Sequence, residues 1–266
     1  MDDMSASQVS ASFEDYLKVI WSLREWSRDP VTVKALAERL GYSPSSVSEA
    51  VKKLVAAGLV AHEPYGGIEL TTSGHALAVR IIRRHRVIEM FLVDYAGYAW
   101  DEVHDEAEVL EHAVSDHLVD ALWHKLGHPS EDPHGDPIPD DDGILVRPTS
   151  VPLNSLSEGE RGRIVRVSDQ EPELLRHLAD EGIVPGVEVE VVRVRVYAGL
   201  TTLRILPKNS AGDNRAARPG KTSGMDQNKF LGANSKGPGI IAHPDTDLVE
   251  LGMPAVDALR VEALTV

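Results

Sequence analysis

The chain has no cysteine in its 266 residues. That excludes disulfides, iron–sulfur clusters and thiolate metal sites, and leaves oxygen and imidazole donors for any bound ion. It also has no apolar run near the roughly 20 residues of a membrane span. The first residues, Met1-Asp2-Asp3-Met4-Ser5, lack the basic and apolar regions of a signal peptide, so a cytoplasmic protein is expected. Positive charge is scarce as well. The formal charge of −15 is the wrong sign for a nucleic-acid binder, but residues 101 to 142 hold fourteen Asp and Glu against one Lys and nearly account for the excess. With 42% hydrophobic residues at this length, two domains can each bury a core.

The positive features begin with Val103-His104-Asp105-Glu106-Ala107-Glu108-Val109-Leu110-Glu111-His112. Read as a helix, Val103, Ala107, Leu110 and Val114 form one apolar stripe, and His104, Glu108, Glu111 and His112 project together about 100° away. Two carboxylates and two imidazoles at the edge of a core make physical sense around a divalent cation; a solvated acidic face is the alternative. Upstream, His85 and Glu89 stand at i and i+4, a spacing that suits two ligands of one ion or a surface contact.

The N-terminal part reads as helix, helix, turn, helix and hairpin. Phe13, Tyr16, Leu17, Ile20 and Leu23 give a first helix over 13–26 behind a Ser12 cap; Thr32 caps a second over 33–40, ended by Gly41. Ser43-Pro44 is N-cap and N1 of a third helix, stopped by Gly58, and residues 59–71 supply two short strands around a Pro/Gly turn. This order predicts a winged helix-turn-helix whose third helix enters the DNA major groove. On that helix Val47, Ala50, Val51 and Leu54 face the core. Ser43, Ser45, Ser46, Ser48, Glu49, Lys52 and Lys53 are left for DNA, the small hydroxyl residues permitting close approach to base edges and phosphates.

Thr72 or Ser73 caps a long fourth helix to about residue 95, whose Arg80, Arg83, Arg84 and Arg86 can meet phosphate or the acidic block. A sixth helix over 115–126 presents Leu118, Val119, Leu122 and Trp123, expected at a dimer interface unless they pack internally. Residues 127–143 read as a turn-laden linker. From 151 the alternation becomes β, with strands near 163–167, 187–196, 203–206, 248–251 and 259–262, and a short helix at 172–180. A five-stranded SH3-like barrel is expected, interrupted by a polar, Gly- and Asn-rich insertion over about 207–243. The predicted class is α+β: a winged helix-turn-helix DNA-binding domain (1–74), a helical metal-binding and dimerisation domain (75–143) and the barrel (151–266).

Glu14-Asp15-Tyr16-Leu17, Arg84-His85-Arg86, Val103-His104-Asp105-Glu106, Glu111-His112 and Asp132-Pro133-His134-Gly135-Asp136-Pro137-Ile138-Pro139 together resemble the diphtheria-toxin-repressor family, in particular its manganese-responsive branch. The resemblance implies a homodimer joined through helices five and six that binds a double-stranded operator only when metal is bound. It also implies two metal sites: Asp15, Glu108, Glu111 and His112 at one, and His85, Glu89 and His104 at the other. A barrel carboxylate sometimes completes the second, with Glu171 the better positional match and Glu173 the weaker. Iron-responsive members carry sulfur ligands where this chain has Asp15 and Glu108, so Mn(II) is the expected activator and Fe(II) the alternative. No organic cofactor, membrane association or enzymatic activity is expected. Two rivals remain on the residues alone. A di-metal carboxylate oxidase or storage protein would need Glu-x-x-His on two helices, whereas here the motif occurs only at Glu131 to His134. A winged-helix repressor sensing an organic ligand would leave the acidic stripe merely solvated.

Overall fold

The computed structural model describes residues 10–27, 29–63, 66–146, 149–207 and 247–264. The chain divides into two compact units. The first is built from residues up to Phe91 with Asp105–Asp132 and Pro137–Val146; the second from Leu92–His104, Pro133–Asp136 and the residues beyond Arg147.

In the first unit α1 spans Ala11–Trp26, α2 Val33–Leu40 and α3 Pro44–Ala56. The start of α1 precedes the expected Ser12 cap: Ser10 is the N-cap, and its carbonyl accepts from Phe13 N–H at 2.8 Å. Thr32 caps α2 by accepting from Ala35 N–H at 3.1 Å, and Gly41 closes it at φ +68°, a left-handed conformation that glycine adopts without a Cβ clash. Tyr16, Leu17, Ile20 and Trp21 of α1 share one core with Leu36 of α2 and with Val47, Val51 and Leu54 of α3. The wing strands β1 (Val60–His62) and β2 (Ile68–Leu70) pair antiparallel, Ala61 opposite Glu69.

Helix α4 runs Thr72–Phe91 and is followed by a π-helical turn over Leu92–Ala96. Its cap is Thr71, not Thr72 or Ser73: Thr71 Oγ1 accepts from Gly74 N–H at 3.1 Å. α5 spans Val103–Leu110, so Glu111 and His112 fall in the turn that follows; Glu111 N–H still donates to Ala107 O at 2.9 Å, which carries the helical direction one step further. α6 is Asp116–Lys125 behind Ser115, whose hydroxyl accepts from Leu118 N–H at 3.2 Å. The expectation for α6 needs correction. Val119 is buried with Val87, Met90 and Ile138, and Leu122 and Trp123 pack against that cluster, so of the four apolar residues only Leu118 is exposed, at 45%. The internal partners come from α4 and from the proline-bounded segment at 137–139, which no periodicity within α6 could show.

The basic segment of α4 answers the acidic block rather than standing free for phosphate. Arg80 and Arg84 both pair with Asp116, and Arg83 pairs with Asp120 and Asp141 while donating to Pro139 O at 3.1 Å. Arg86 is buried, pairs with Glu25 at 2.9 Å and lies over the Trp21 ring.

Among the described residues of the second unit six antiparallel strands form an open sheet in place of the expected five-stranded barrel. They are β3 (Val151–Pro152), β4 (Arg161–Val167), β5 (Glu188–Arg195), β6 (Leu200–Ile205), β7 (Leu248–Gly252) and β8 (Leu259–Leu264), in the order β3-β8-β4-β5-β6-β7. Register shifts between Ile164 and Arg166 and between Val191 and Arg193 mark bulges, which bend and twist strands. Helix α7 (Pro172–Asp180) and the short α8 (Met253–Asp257) pack Leu175, Leu178 and Val256 onto Ile164, Val189, Leu203 and Val261. The two-residue β3 and the single turn of α8 are too short for periodicity to find. The architecture is the expected α+β, SH3-like in its last part. The insertion expected over 207–243 lies, beyond residue 207, outside the described residues.

Candidate metal centre and nucleic-acid interface

The first unit gathers ligand-type side chains from three places. Asp15 comes from α1, His85 and Glu89 from α4, and Glu108, Glu111 and His112 from α5 and the turn after it. Two groups made wholly of residues of this unit have ligand atoms within 4.8 Å of one another: Asp15 with Glu111 and His112, and His85 with Glu108 and Glu111.

Around His112 the contacts are short. Nε2 lies 2.8 Å from Asp15 Oδ1 and Nδ1 lies 2.9 Å from Glu14 Oε2, so the ring is held between adjacent carboxylates of α1. Burial lowers the His112 pKa, but Glu14, Glu111 and Asp15 outweigh it and the net shift is upward. Burial raises the Asp15 carboxyl, and His112 and Lys18 only partly counter it. His85 is more enclosed still: Nδ1 lies 2.5 Å from Glu111 Oε2 and Nε2 3.0 Å from Glu89 Oε1. Burial disfavours its charged form, yet the Glu89 and Glu111 carboxylates carry its pKa to about 9. Burial pushes Glu111 up, but His85 and Lys18 overcome it and hold the carboxyl below its usual range. Glu111 thus draws cations or protons to itself, which is the electrostatic condition of a metal centre. The donors of the cluster are carboxylate oxygens and imidazole nitrogens, and they fit a hard or borderline divalent ion.

His85, assigned to one site, contacts Glu111, assigned to the other. In the second unit His104 Nδ1 lies 3.1 Å from Asp169 Oδ2. Glu171 and Glu173, the expected barrel ligands, are exposed at the start of α7, where Glu171 is the N-cap residue, and neither joins a ligand group among the described residues. Asp169 is the carboxylate beside His104 instead; it follows the end of β4 and carries no periodic signal. Lys18 and Glu14 are further members of the cluster that the ligand pattern does not predict. Lys18 lies three residues after Asp15 on the same face of α1, so the helical spacing offers a signal for it that a search for acidic and imidazole ligands passes over. His134, in the only Glu-x-x-His, sits on no helix; its Nε2 is 2.7 Å from Trp100 O and its ring stacks on Trp100, which removes the basis for a helical di-metal site at this motif.

On α3 the expected DNA-facing residues are exposed, apart from the half-buried Ser48. Ser43 acts as the cap, accepting from Ser46 N–H at 3.2 Å, and its hydroxyl also meets the Ser45 and Ser46 hydroxyls at 2.9 and 2.8 Å. Lys52 bonds Glu49 at 2.6 Å, which lowers the Glu49 pKa. Lys53 is exposed one residue on.

A winged helix-turn-helix joined to helices that gather carboxylates and imidazoles, with an SH3-like sheet after them, defines a metal-dependent DNA-binding regulator. Known proteins agree with this class. Residues 8–68 match the iron dependent repressor N-terminal DNA binding domain, 71–140 its metal binding and dimerisation domain, and 151–216 the FeoA domain. The chain is 34% identical over 190 residues to the iron-dependent repressor IdeR of Mycobacterium tuberculosis, covering 67% of this chain and 82% of that protein. It is 33% identical over 189 residues to the diphtheria toxin repressor of Corynebacterium diphtheriae, covering 67% and 83%. Among solved structures, a manganese-dependent transcriptional repressor in complex with manganese matches at 41% identity and a TM-score of 0.77, over 95% of this chain and all of that one. The repressor ScaR with bound Zn2+ matches at 29% and 0.71, over 95% and 99%. The chain belongs to the iron-dependent repressor family, that of the diphtheria toxin repressor.

Among the described residues no helix is long and apolar enough to cross a membrane.

Proposed function

We propose that this chain is a Mn(II)-activated repressor of metal-uptake genes, acting in the cytoplasm as a homodimer on a double-stranded operator, without catalysis and without an organic cofactor. The observation that carries the reading is the meeting of Asp15 with Glu111 and His112. Asp15 stands beside Tyr16 and Leu17, which share a core with the recognition helix α3, so a cation held there would tie the DNA-binding head to the turn after α5. A bound divalent ion supplies the positive charge that these carboxylates otherwise take from protons and Lys18. Asp15, Glu108, Glu111 and His112 would hold one ion. His85 and Glu89, with His104 as the family resemblance implies, would hold a second.

Fixing α1 sets the direction of α3, and in a dimer that sets the spacing of two recognition helices for successive major grooves about 34–36 Å apart. Ser45, Ser46, Ser48 and Glu49 would then face base edges, with Lys52 and Lys53 toward phosphate. The hard donors at Asp15 and Glu108 favour Mn(II) relative to softer ions. Fe(II) activation is the second reading, supported by the named iron-dependence of the mycobacterial relative.

The test is fluorescence-detected binding of chelator-treated protein to a duplex selected from random DNA by the metal-loaded form, titrated with Mn(II), Fe(II), Co(II) and Zn(II). Tight binding that appears with Mn(II) at the lowest free concentration is expected. Equal binding by metal-free protein would sink the switch, and activation by Fe(II) alone would select the second reading.

A further inference from the structure

Within the ligand cluster of the first unit lies a cation that no metal role explains. Lys18 is 6% exposed, far less than a lysine without a buried partner would be. Its Nζ donates to Glu108 Oε1 at 2.6 Å and to Glu111 Oε1 at 2.5 Å. Glu111 is thereby fully engaged, since its other oxygen meets His85 Nδ1 at 2.5 Å. The oxygen that Lys18 holds is also the one facing the expected ion position, 3.6 Å from His112 Nε2.

We propose that Lys18 is a built-in counter-ion of the metal centre, which holds Glu108 and Glu111 in place when metal is absent and competes with the incoming ion for the same carboxylate oxygens. This rests on the reading of Asp15, Glu108, Glu111 and His112 as ligands. Three consequences follow from charge alone. Without Lys18, Glu108 and Glu111 would face each other, Asp15 and Glu89 with one positive charge fewer, and the metal-free fold would be weakened. With Lys18, a divalent ion must share Glu111 Oε1 or displace the ammonium, so its affinity is lower than the carboxylates by themselves would provide. The site then fills only when free metal is plentiful, as a sensor of sufficiency requires. Lys18 Nζ lies within hydrogen-bond reach of both carboxylates, a placement that favours its charged form. Lys18 is thus a positioning residue that sets the threshold and need not touch the ion.

The experiment compares full-length wild type with Lys18→Met, a substitution that keeps the length and apolar character of the stem and removes the charge. Mn(II) affinity of chelator-treated protein is measured by calorimetry, and thermal unfolding is followed with and without Mn(II). The variant is expected to bind Mn(II) at least tenfold tighter, to melt at a lower temperature when metal-free, and to gain more on adding Mn(II) than wild type does. A merely structural lysine would lower the metal-free melting temperature without tightening Mn(II) binding, and that result overturns the proposal. So does unchanged melting of the metal-free variant. A Lys18→Met chain that folds only with Mn(II) supports it, because the ion then replaces the missing charge. Should the variant fold in neither state, Lys18→Gln is read by the same two measurements. Wild type that takes up no Mn(II) overturns the ligand assignment as well; wild type that binds normally beside an unaltered variant overturns the role of Lys18 alone.

Discussion

Asp15 and His112 stand 97 positions apart in the chain, and Asp15 Oδ1 lies 2.8 Å from His112 Nε2. One belongs to the first helix of the DNA-binding head and the other to the turn after α5. This pair joins the two halves of the proposed switch, so changes in its chemistry should alter the metal response first.

Exchanging Asp15→Met together with Glu108→Cys replaces two hard anionic oxygens by a thioether and a thiol or thiolate. Activation of operator binding is expected to move from Mn(II) toward Fe(II) or Co(II), with the midpoint for Mn(II) raised about tenfold or more. An unchanged order of metals across the series would show that these two positions do not set preference.

The titration of His85 gives a pH dependence with a definite sign. Its folded pKa is raised to about 9 from an ordinary 6.5, so protonation stabilises the metal-free fold. That stability is fully present below about pH 6.5 and is lost as pH rises through 9. Metal-free protein should therefore melt roughly 5 °C lower at pH 9 than at pH 6.5. Mn(II) affinity should rise over the same window, because a ligating imidazole must give up its proton. A flat melting temperature for wild type, or an identical pH slope in His85→Ala, would count against this.

Lys52→Ala and Lys53→Ala should weaken binding to specific and random DNA alike. If each side chain meets one phosphate, either substitution lowers the slope of log affinity against log salt by about one unit. Slopes equal to wild type would remove both residues from the interface.

The proposed homodimer would cover exposed apolar side chains of α5 and α6. Val109 on α5 is 70% exposed and Leu118 on α6 45%. Placing charge there by Val109→Glu with Leu118→Glu should yield a monomer in light scattering that keeps its fold by circular dichroism. A double mutant that remains dimeric would locate the interface elsewhere.

Gly135 tests the packing of the second unit. At φ +86° an added Cβ would collide with the Val165 backbone carbonyl oxygen. Gly135→Ala should lower the melting temperature of that unit by roughly 5 °C or more, through strain and displacement of the 133–136 segment. An unaltered melting profile would mean the segment can shift without penalty.

Local periodicity and capping are enough to read α2, α3, the wing and most strands, because these depend on neighbours within a few residues: Thr32 and Gly41 bound α2, and Ser43-Pro44 starts α3. The same spacing singles out Glu108, Glu111 and His112. It cannot show which partner each side chain meets, since that depends on which helices pack together. The fold buries Lys18 between Glu108 and Glu111, joins His85 to Glu111, and turns Val119 inward against Val87 and Ile138. It also brings Asp169, not Glu171, to His104. Each of these pairs residues far apart in the chain, and its sign and strength come from burial, which raises the cost of an unpaired charge until only particular neighbours are tolerated.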